Sequence, residues 1–549
     1  MRTRAAVLCA TAAVLAGSVT ALPGATPAQA APAPAPAPAL DLTPALTPAL
    51  APALAPAPAA AKLAWKKCGT GDYPTLQCAS LKVPLDHAHP SGRQISLALS
   101  RVPHTAKTSQ GPLLVNPGGP GGSGLALAGF VASALPKRVA AQYDIIGFDP
   151  RGVGKSAPAL DCSPGYFGRV RPDTVPVTPA TEQASLKRVR SFAAACARAH
   201  ADLLPYIDTV AAVQDMDAVR GALGAQKINY FGYSYGTYLG SVYAKLHPDR
   251  VRRLVLDSIV DPRGVWYHDN IGQDYAFNDR HRALMAWIAT HDSTYKLGKD
   301  PEKIEAQWYA MRAGLAKKPA DGRIGASELE DTFIPGGYYN GYWPYLASAF
   351  AAYVHDKNTG PLVKAYDTFA AVDPAGDNGY SVYTAVQCQD AGWPRDWERW
   401  KRDAWAVYEK APFMVWNNAW YNAPCAFWTG TTRKAMNIAN GKLPPALLFQ
   451  ATDDAATPYS GGVTAHRLLA RSSLVVEQGG GNHGVTLSGN ACLDKYLAAY
   501  LTDGTVPRGT GEADAVCQKS PDPKPLKATK AASASSRGST LHGLLGFRR

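Results

Sequence analysis

Several short runs along the chain are apolar almost without interruption and stop at a glycine or a polar residue. They are GPLLVNPGG (111–119), YDIIGFDPRG (143–152), INYFGYS (228–234), VRRLVLDSIV (251–260), PPALLFQATDD (445–454) and SSLVVEQGGGNHG (472–484). A strand with one wet face alternates between apolar and polar positions. A run that does not alternate suits a strand buried on both faces, as in a parallel sheet covered by helices. Helical stretches separate these runs, so the pattern predicts an α/β fold with a mostly parallel sheet. In such sheets chemistry gathers at the carboxyl ends of the strands. Gly118-Gly119, Asp149, Ser234, Asp454 and His483 all fall there.

The rhythm breaks between residues 263 and 440. This stretch is rich in Trp and Tyr, as in GGYYNGYWPYL and WPRDWERWKRDAW, and its apolar positions recur at helical spacing. It predicts a large, mainly helical cap inserted between a first core part (62–262) and a second (441–517). Ahead of the core, residues 31–61 carry proline at every second or third position, which blocks helix and sheet and predicts an extended spacer or pro-segment. Residues 1–30 have the layout of a secretory signal: Arg2 and Arg4, an apolar centre from Ala5 to Ala16, and Ala28-Gln29-Ala30 as a small-residue cleavage site. No later run is long and apolar enough to span a bilayer. The expectation is a secreted, extracellular, monomeric product.

Composition narrows the partners. Of the formal net charge of +13, the signal carries +2 and residues 518–549 carry +6, leaving +5 on the body. That distribution argues against a nucleic-acid partner. It predicts instead a basic, disordered tail over 518–549. Cys9 lies inside the signal. The eight other cysteines are an even set, as disulfides in an exported chain require, and they pair naturally as neighbours: 68–78, 162–196, 388–425 and 492–517. Zinc is the rival use, but no C-x-x-C pair exists and no histidine stands at ligand spacing from a cysteine pair, so no metal or other cofactor is expected.

The stretch INYFGYSYGTYLG carries the candidate chemistry. Gly232-x-Ser234-x-Gly236 after a strand-like run and before a helical one matches a nucleophile elbow, a sharp turn that pushes a serine hydroxyl into a pocket. Such a serine needs a base, a group to orient the base, and donors for an oxyanion. His483, in the glycine-rich turn after the last run, is the candidate base. Asp454 is the candidate orienter, with its neighbour Asp453 and the strand-end Asp257 as alternatives. The oxyanion donors are expected to be the backbone N–H groups of Tyr235 and Gly119, the latter in NPGGPGGSG (116–124). A phosphate-cradling role for that loop fails because no P-loop lysine follows it. Asp149 and Arg151 are placed to brace the loop.

With NPGGPGGSG, GFDPRGVGKS, YFGYSYGTYLG, LVLDSIVDP, DDAATP and the Gly-Asn-His-Gly turn assembled, the chain resembles the secreted actinobacterial tripeptidyl aminopeptidases. These are α/β-hydrolase serine peptidases, and the likeness extends more distantly to prolyl iminopeptidases. It runs from about Trp65 to Cys517. Pro117 stands where prolyl iminopeptidases have the histidine of their His-Gly-Gly-Pro-Gly loop. Ala451 and Ala455 stand where the family's acidic turn usually has Gly and Pro. The resemblance implies an α/β-hydrolase fold, a Ser-His-Asp acyl-enzyme mechanism, and release of tripeptides from substrates with a free amino terminus. A carboxylate in the cap would then meet the substrate ammonium. Asp269, Asp274 and Asp390 are candidates, with Asp390 beside Cys388 the first choice. A secreted esterase or lipase would share the triad and the fold. A catalytically dead binding protein would need a broken triad, and a dehalogenase or epoxide hydrolase would want an aspartate at position 234.

Overall fold

The structure is a computed structural model and describes residues 63–168, 170–526 and 537–545. The expected signal (1–30) and the expected spacer or pro-segment (31–61) lie outside these. The strands are β1 (Lys66–Lys67), β2 (Gln77–Pro84), β3 (Gln94–Val102), β4 (Pro112–Asn116), β5 (Asp144–Phe148), β6 (Ile228–Tyr233), β7 (Val251–Asp257), β8 (Ala446–Ala451), β9 (Ser472–Gln478) and β10 (Ala515–Gln518). They form one sheet in the order β1-β2-β3-β5-β4-β6-β7-β8-β9-β10. From β5 to β10 every neighbouring pair is parallel. Each expected apolar run contains one of β4 to β9, and β4, β6 and β8 are buried at every residue.

At one edge, β1, β2 and β3 pair antiparallel, and β3 meets β5 antiparallel. These edge strands are not unbroken apolar runs. β3 mixes buried and partly exposed positions, as a strand with one half-wet face does.

Five helices matter for the site. They are α1 (Leu125–Ala134) after β4, α2 (Tyr235–Leu246) after β6, α3 (Tyr267–Thr290), α4 (Pro374–Asp390) and α5 (Arg537–Leu544). Between residues 263 and 440 the described elements are all helices, but they do not form one separate body. Phe277, Trp308, Phe333, Phe350 and their neighbours make a core of their own. Val265 to Tyr267 and most of the buried residues from Tyr380 onward instead share the core of the sheet's flank, while Phe413 and Met414 join the first core. Polar bonds explain the attachment. Asn378 of α4 donates to the carbonyls of Gly152 and Leu160 at 2.8 and 2.7 Å, and Ser381 accepts from the Cys162 N–H at 3.0 Å. Among the described residues no helix is long and apolar enough to cross a membrane.

The disulfides are Cys68–Cys78, Cys162–Cys196, Cys388–Cys425 and Cys492–Cys517, the expected neighbour pairing. The tail departs from expectation. Part of residues 518–549 folds as α5, whose Leu541 is fully buried in the core cluster that includes Phe130, Val131 and Val485. The basic, Ser/Ala/Lys-rich average of the tail conceals the apolar Leu541, Leu544 and Leu545, which lie on one helical face.

Candidate active site

Ser234 sits between β6 and α2 with φ 56° and ψ −130°, a left-handed conformation that a non-glycine residue adopts only under constraint. The surroundings supply that constraint. The Ser234 N–H donates to the Asp257 carbonyl at 3.0 Å. A Cβ on Gly232 would stand 2.4 Å from the Gly236 carbonyl oxygen and one on Gly236 2.9 Å from the Asn116 carbonyl oxygen, so the turn packs this closely only because both positions lack a side chain. The hydroxyl reaches a cavity of about 490 Å³, also lined by Gly119, Tyr235, Asp261, Asp269, Gln387 and His483. That volume falls within the roughly 300–1,000 Å³ of pockets that hold small ligands.

His483 is buried and presents its ring to the same cavity. Its Nδ1 meets Asp454 Oδ1 and Oδ2 at 3.1 and 3.0 Å. Asp454 is itself fixed by the N–H groups of Ala456 and Thr457 at 2.9 and 3.0 Å and by the Thr457 hydroxyl at 3.0 Å. A carboxylate held this way keeps Nδ1 protonated and leaves Nε2 as the basic nitrogen. The alternatives sit elsewhere. Asp453 is exposed and accepts from the Thr452 hydroxyl. Asp257 accepts from the N–H groups of Val485 and Thr486 and from the Ser258 hydroxyl, so it holds the loop that carries His483 and does not touch the ring. Burial pushes Asp257 up to about 6 against those hydrogen bonds. No hydrogen bond joins Ser234 to His483 among the described residues. In empty sites such contacts are often long and tighten with substrate.

Tyr235 is the first residue of α2, where a helix leaves its N–H groups without internal acceptors. The loop after β4 comes up beside it. A Cβ on Gly118 (φ 96°) would lie 2.8 Å from the Ser234 Cβ and 3.0 Å from the Tyr235 nitrogen. Gly119, the next residue of this loop, lines the cavity together with Tyr235. Asp149 braces the loop as expected, accepting from Ser123 at 2.6 Å. Arg151 does not. It pairs with Asp215 at 2.7 Å and donates to the carbonyls of Pro84, Leu85 and Tyr206.

Asp390 is the residue the structure keeps away from the cavity. Its carboxylate accepts from the Thr209 N–H at 2.9 Å and from the Thr209 hydroxyl at 2.5 Å, and burial pushes it up to about 7. It ends α4 on the side that packs toward the core, so its side chain is used in joining α4 to Thr209. Asp274 is buried as well and accepts at 2.9 Å from Asn418, which lines the cavity, but Asp274 itself is not part of the cavity wall.

Asp269, in the first turn of α3, does line the cavity. Its Oδ2 is shut from solvent and has no hydrogen-bond partner among the described residues, and neither does Oε1 of Gln387 on the same cavity. Oδ1 lies so close to Gly264 that a Cβ there would be 1.9 Å from it. Burial, and then neighbouring Asp261, holds the Asp269 carboxyl well above the ordinary range, with Arg263 opposing. The Arg263 guanidinium already forks onto Asp261 at 2.9 and 3.2 Å. The two carboxylates on this wall thus share one paired cation. Asp269 is among the three candidates in the sequence, but nothing in the sequence marks which helix face meets the pocket.

Residues 111–485 match the family described as alpha/beta hydrolase fold. A tripeptidyl aminopeptidase of Streptomyces coelicolor is 41% identical over 476 residues, covering 84% of this chain and 87% of that protein. The serine protease Hip1 of Mycobacterium tuberculosis is 32% identical over 450 residues, covering 78% of this chain and 86% of its own length. A carboxylesterase B of Mycobacterium tuberculosis is also 32% identical, over 470 residues, covering 81% and 88%.

Proposed function

The chain belongs to the α/β-hydrolase fold family and is a serine peptidase of that type, and from this premise we propose that it is a secreted exopeptidase releasing short peptides, tripeptides first among them, from free amino termini. Ser234 Oγ attacks the scissile carbonyl while His483 Nε2 takes its proton, and Asp454 stabilises the imidazolium. The N–H groups of Tyr235 and Gly119 hold the oxyanion. The C–N bond then breaks, His483 returns the proton to the leaving amine, and an ester to Ser234 remains. Water, deprotonated by His483, cleaves that ester and frees the acid and the serine.

The observation that carries the amino-terminal preference is Asp269, a carboxyl on the cavity wall whose Oδ2 has no hydrogen-bond partner among the described residues. A substrate ammonium placed there gains the missing partner, and Gln387 Oε1 offers a second acceptor. Asp269 takes the role first expected of Asp390. Secretion is supported by the signal-like first thirty residues and by disulfides, which persist in oxidising compartments.

The test is a panel of di-, tri- and tetrapeptide anilides with free and acetylated amines, alongside a butyrate ester. The reading requires the free-amine tripeptide to be the best substrate. A preference for the butyrate ester, with no discrimination between free and acetylated amines, would leave an esterase like the carboxylesterase relative.

A further inference from the structure

Helix α5 and the residue after it are seated against the catalytic histidine's loop. Leu541 and Leu545 both approach Gly484, the residue following His483, and a Cβ on Gly484 would stand 2.5 Å from Leu545 Cδ1. Leu545 lines the same cavity as Ser234 and His483. The His542 ring is buried and stacks on Tyr339 with centroids 4.2 Å apart and planes at 20°. Tyr338, the preceding residue, packs edge-on against His483 at 5.4 Å, and its carbonyl accepts the backbone N–H of His483 at 2.8 Å. Burial, with His483 nearby, lowers His542 to about 3, so its ring stays neutral, and its Nε2 has no partner among the described residues.

Two physical points give this seat a meaning. First, the base of a serine peptidase hands its proton to the leaving amine, so the polypeptide beyond the cleaved bond must run alongside that histidine. The His483 loop and Tyr338–Tyr339 border that path, and it is there that Leu541, His542 and Leu545 sit. Second, a helix of this length is marginal by itself in water, so α5 owes its order to the seat. The rest of its core cluster comes from the sheet, α1 and their neighbours, and Leu541 is the only fully buried member α5 adds among the described residues.

We propose that the groove holding Leu541, His542 and Leu545 is the subsite for the leaving polypeptide, suited to an apolar or aromatic side chain after the cleaved bond, and that segment 537–545 competes with substrate for it. The proposal rests on Ser234 and His483 being the reacting pair. A tripeptide anilide has a small leaving group and avoids most of the competition, whereas a long peptide must displace the segment.

The experiment compares the full chain with a form lacking residues 527–549, measuring KM and kcat for a tripeptide anilide and for a ten-residue peptide. If the groove is free roughly a tenth of the time in the full chain, the long peptide's KM falls about tenfold on truncation. The anilide constants should change by a clearly smaller factor, because its small leaving group meets only the Leu545 end of the seat. Leu541→Asp with Leu545→Asp in the full chain should reproduce the truncation. A fluorescent synthetic peptide of residues 537–549 should bind the truncated form and be displaced by the ten-residue peptide. That binding arm needs no turnover, so it still decides the proposal if Ser234 is not the nucleophile. An unchanged KM for the long peptide, an equal change for both substrates, or a synthetic peptide that does not bind would overturn it.

Discussion

Ser234 is placed by contacts that leave no room for side chains around it, and single substitutions should read out as discrete losses. Ser234→Ala removes the nucleophile from a turn held by backbone bonds, so folding should persist while turnover falls by roughly four or more orders of magnitude. A serine-directed phosphonate should label Ser234 alone in the parent chain, and labelling at another serine would sink the assignment. The neighbouring acids separate as sharply. Asp454→Asn should cost about ten-thousandfold in kcat by stabilising the wrong imidazole tautomer. Asp453→Asn, at an exposed side chain bonded to Thr452, should cost less than about twofold, as distant surface changes do. Comparable losses from both variants would contradict the Asp454 assignment. Gly232, Ser234 and Gly236 were legible in the sequence because steric necessity writes itself into residue type. The choice between Asp453 and Asp454 rested on position in a turn, and its physical ground is the set of donors from Ala456 and Thr457.

Among elements, the parallel strands could be read directly because burial on both faces removes polar residues from them. The antiparallel edge could not, since its strands mix wet and dry positions. Helices gave the least. α3 and α4 each carry candidate carboxylates, and which one meets the cavity depends on how each helix rolls against its neighbours. α4 turns Asp390 onto Thr209, whereas α3 sets Asp269 on the cavity. That difference predicts a stability effect. Asp390 is pushed up to about 7 from an ordinary value of 3.8, so the folded state holds its proton more tightly than the unfolded state does. Its contribution to stability is fully present below the lower value and is lost as pH rises through the higher one. Asp390→Asn keeps an acceptor for the Thr209 N–H and cannot ionise. Its Tm should match the parent's near pH 4 and exceed it by roughly several degrees at pH 8, read by calorimetry. A Tm below the parent's at both pH values would show that the burial cost had been misjudged.

At the scale of the molecule, sheet, insertion and C-terminal helix meet around one cavity. The sheet brings Ser234 and His483 to it from two strand ends, with Asp454 behind the histidine from a third, the insertion brings Asp269 and Gln387, and Leu545 completes a wall. The last of these was hidden in the sequence by the composition of its own tail. The central claim is that this cavity binds a substrate ammonium at Asp269 while Ser234 attacks a few residues away. In a partly dry site an ammonium without its carboxylate costs several kcal/mol. The most direct measurement is kcat/KM for a free-amine tripeptide anilide and its acetylated form on the parent chain, Asp269→Asn and Asp390→Asn. The account predicts a preference for the free amine of about a hundredfold or more, roughly 3 kcal/mol, in the parent and in Asp390→Asn. In Asp269→Asn it should collapse toward unity through loss of the free-amine substrate alone. Equal cleavage of both substrates by the parent, or an undiminished preference in Asp269→Asn, would contradict it.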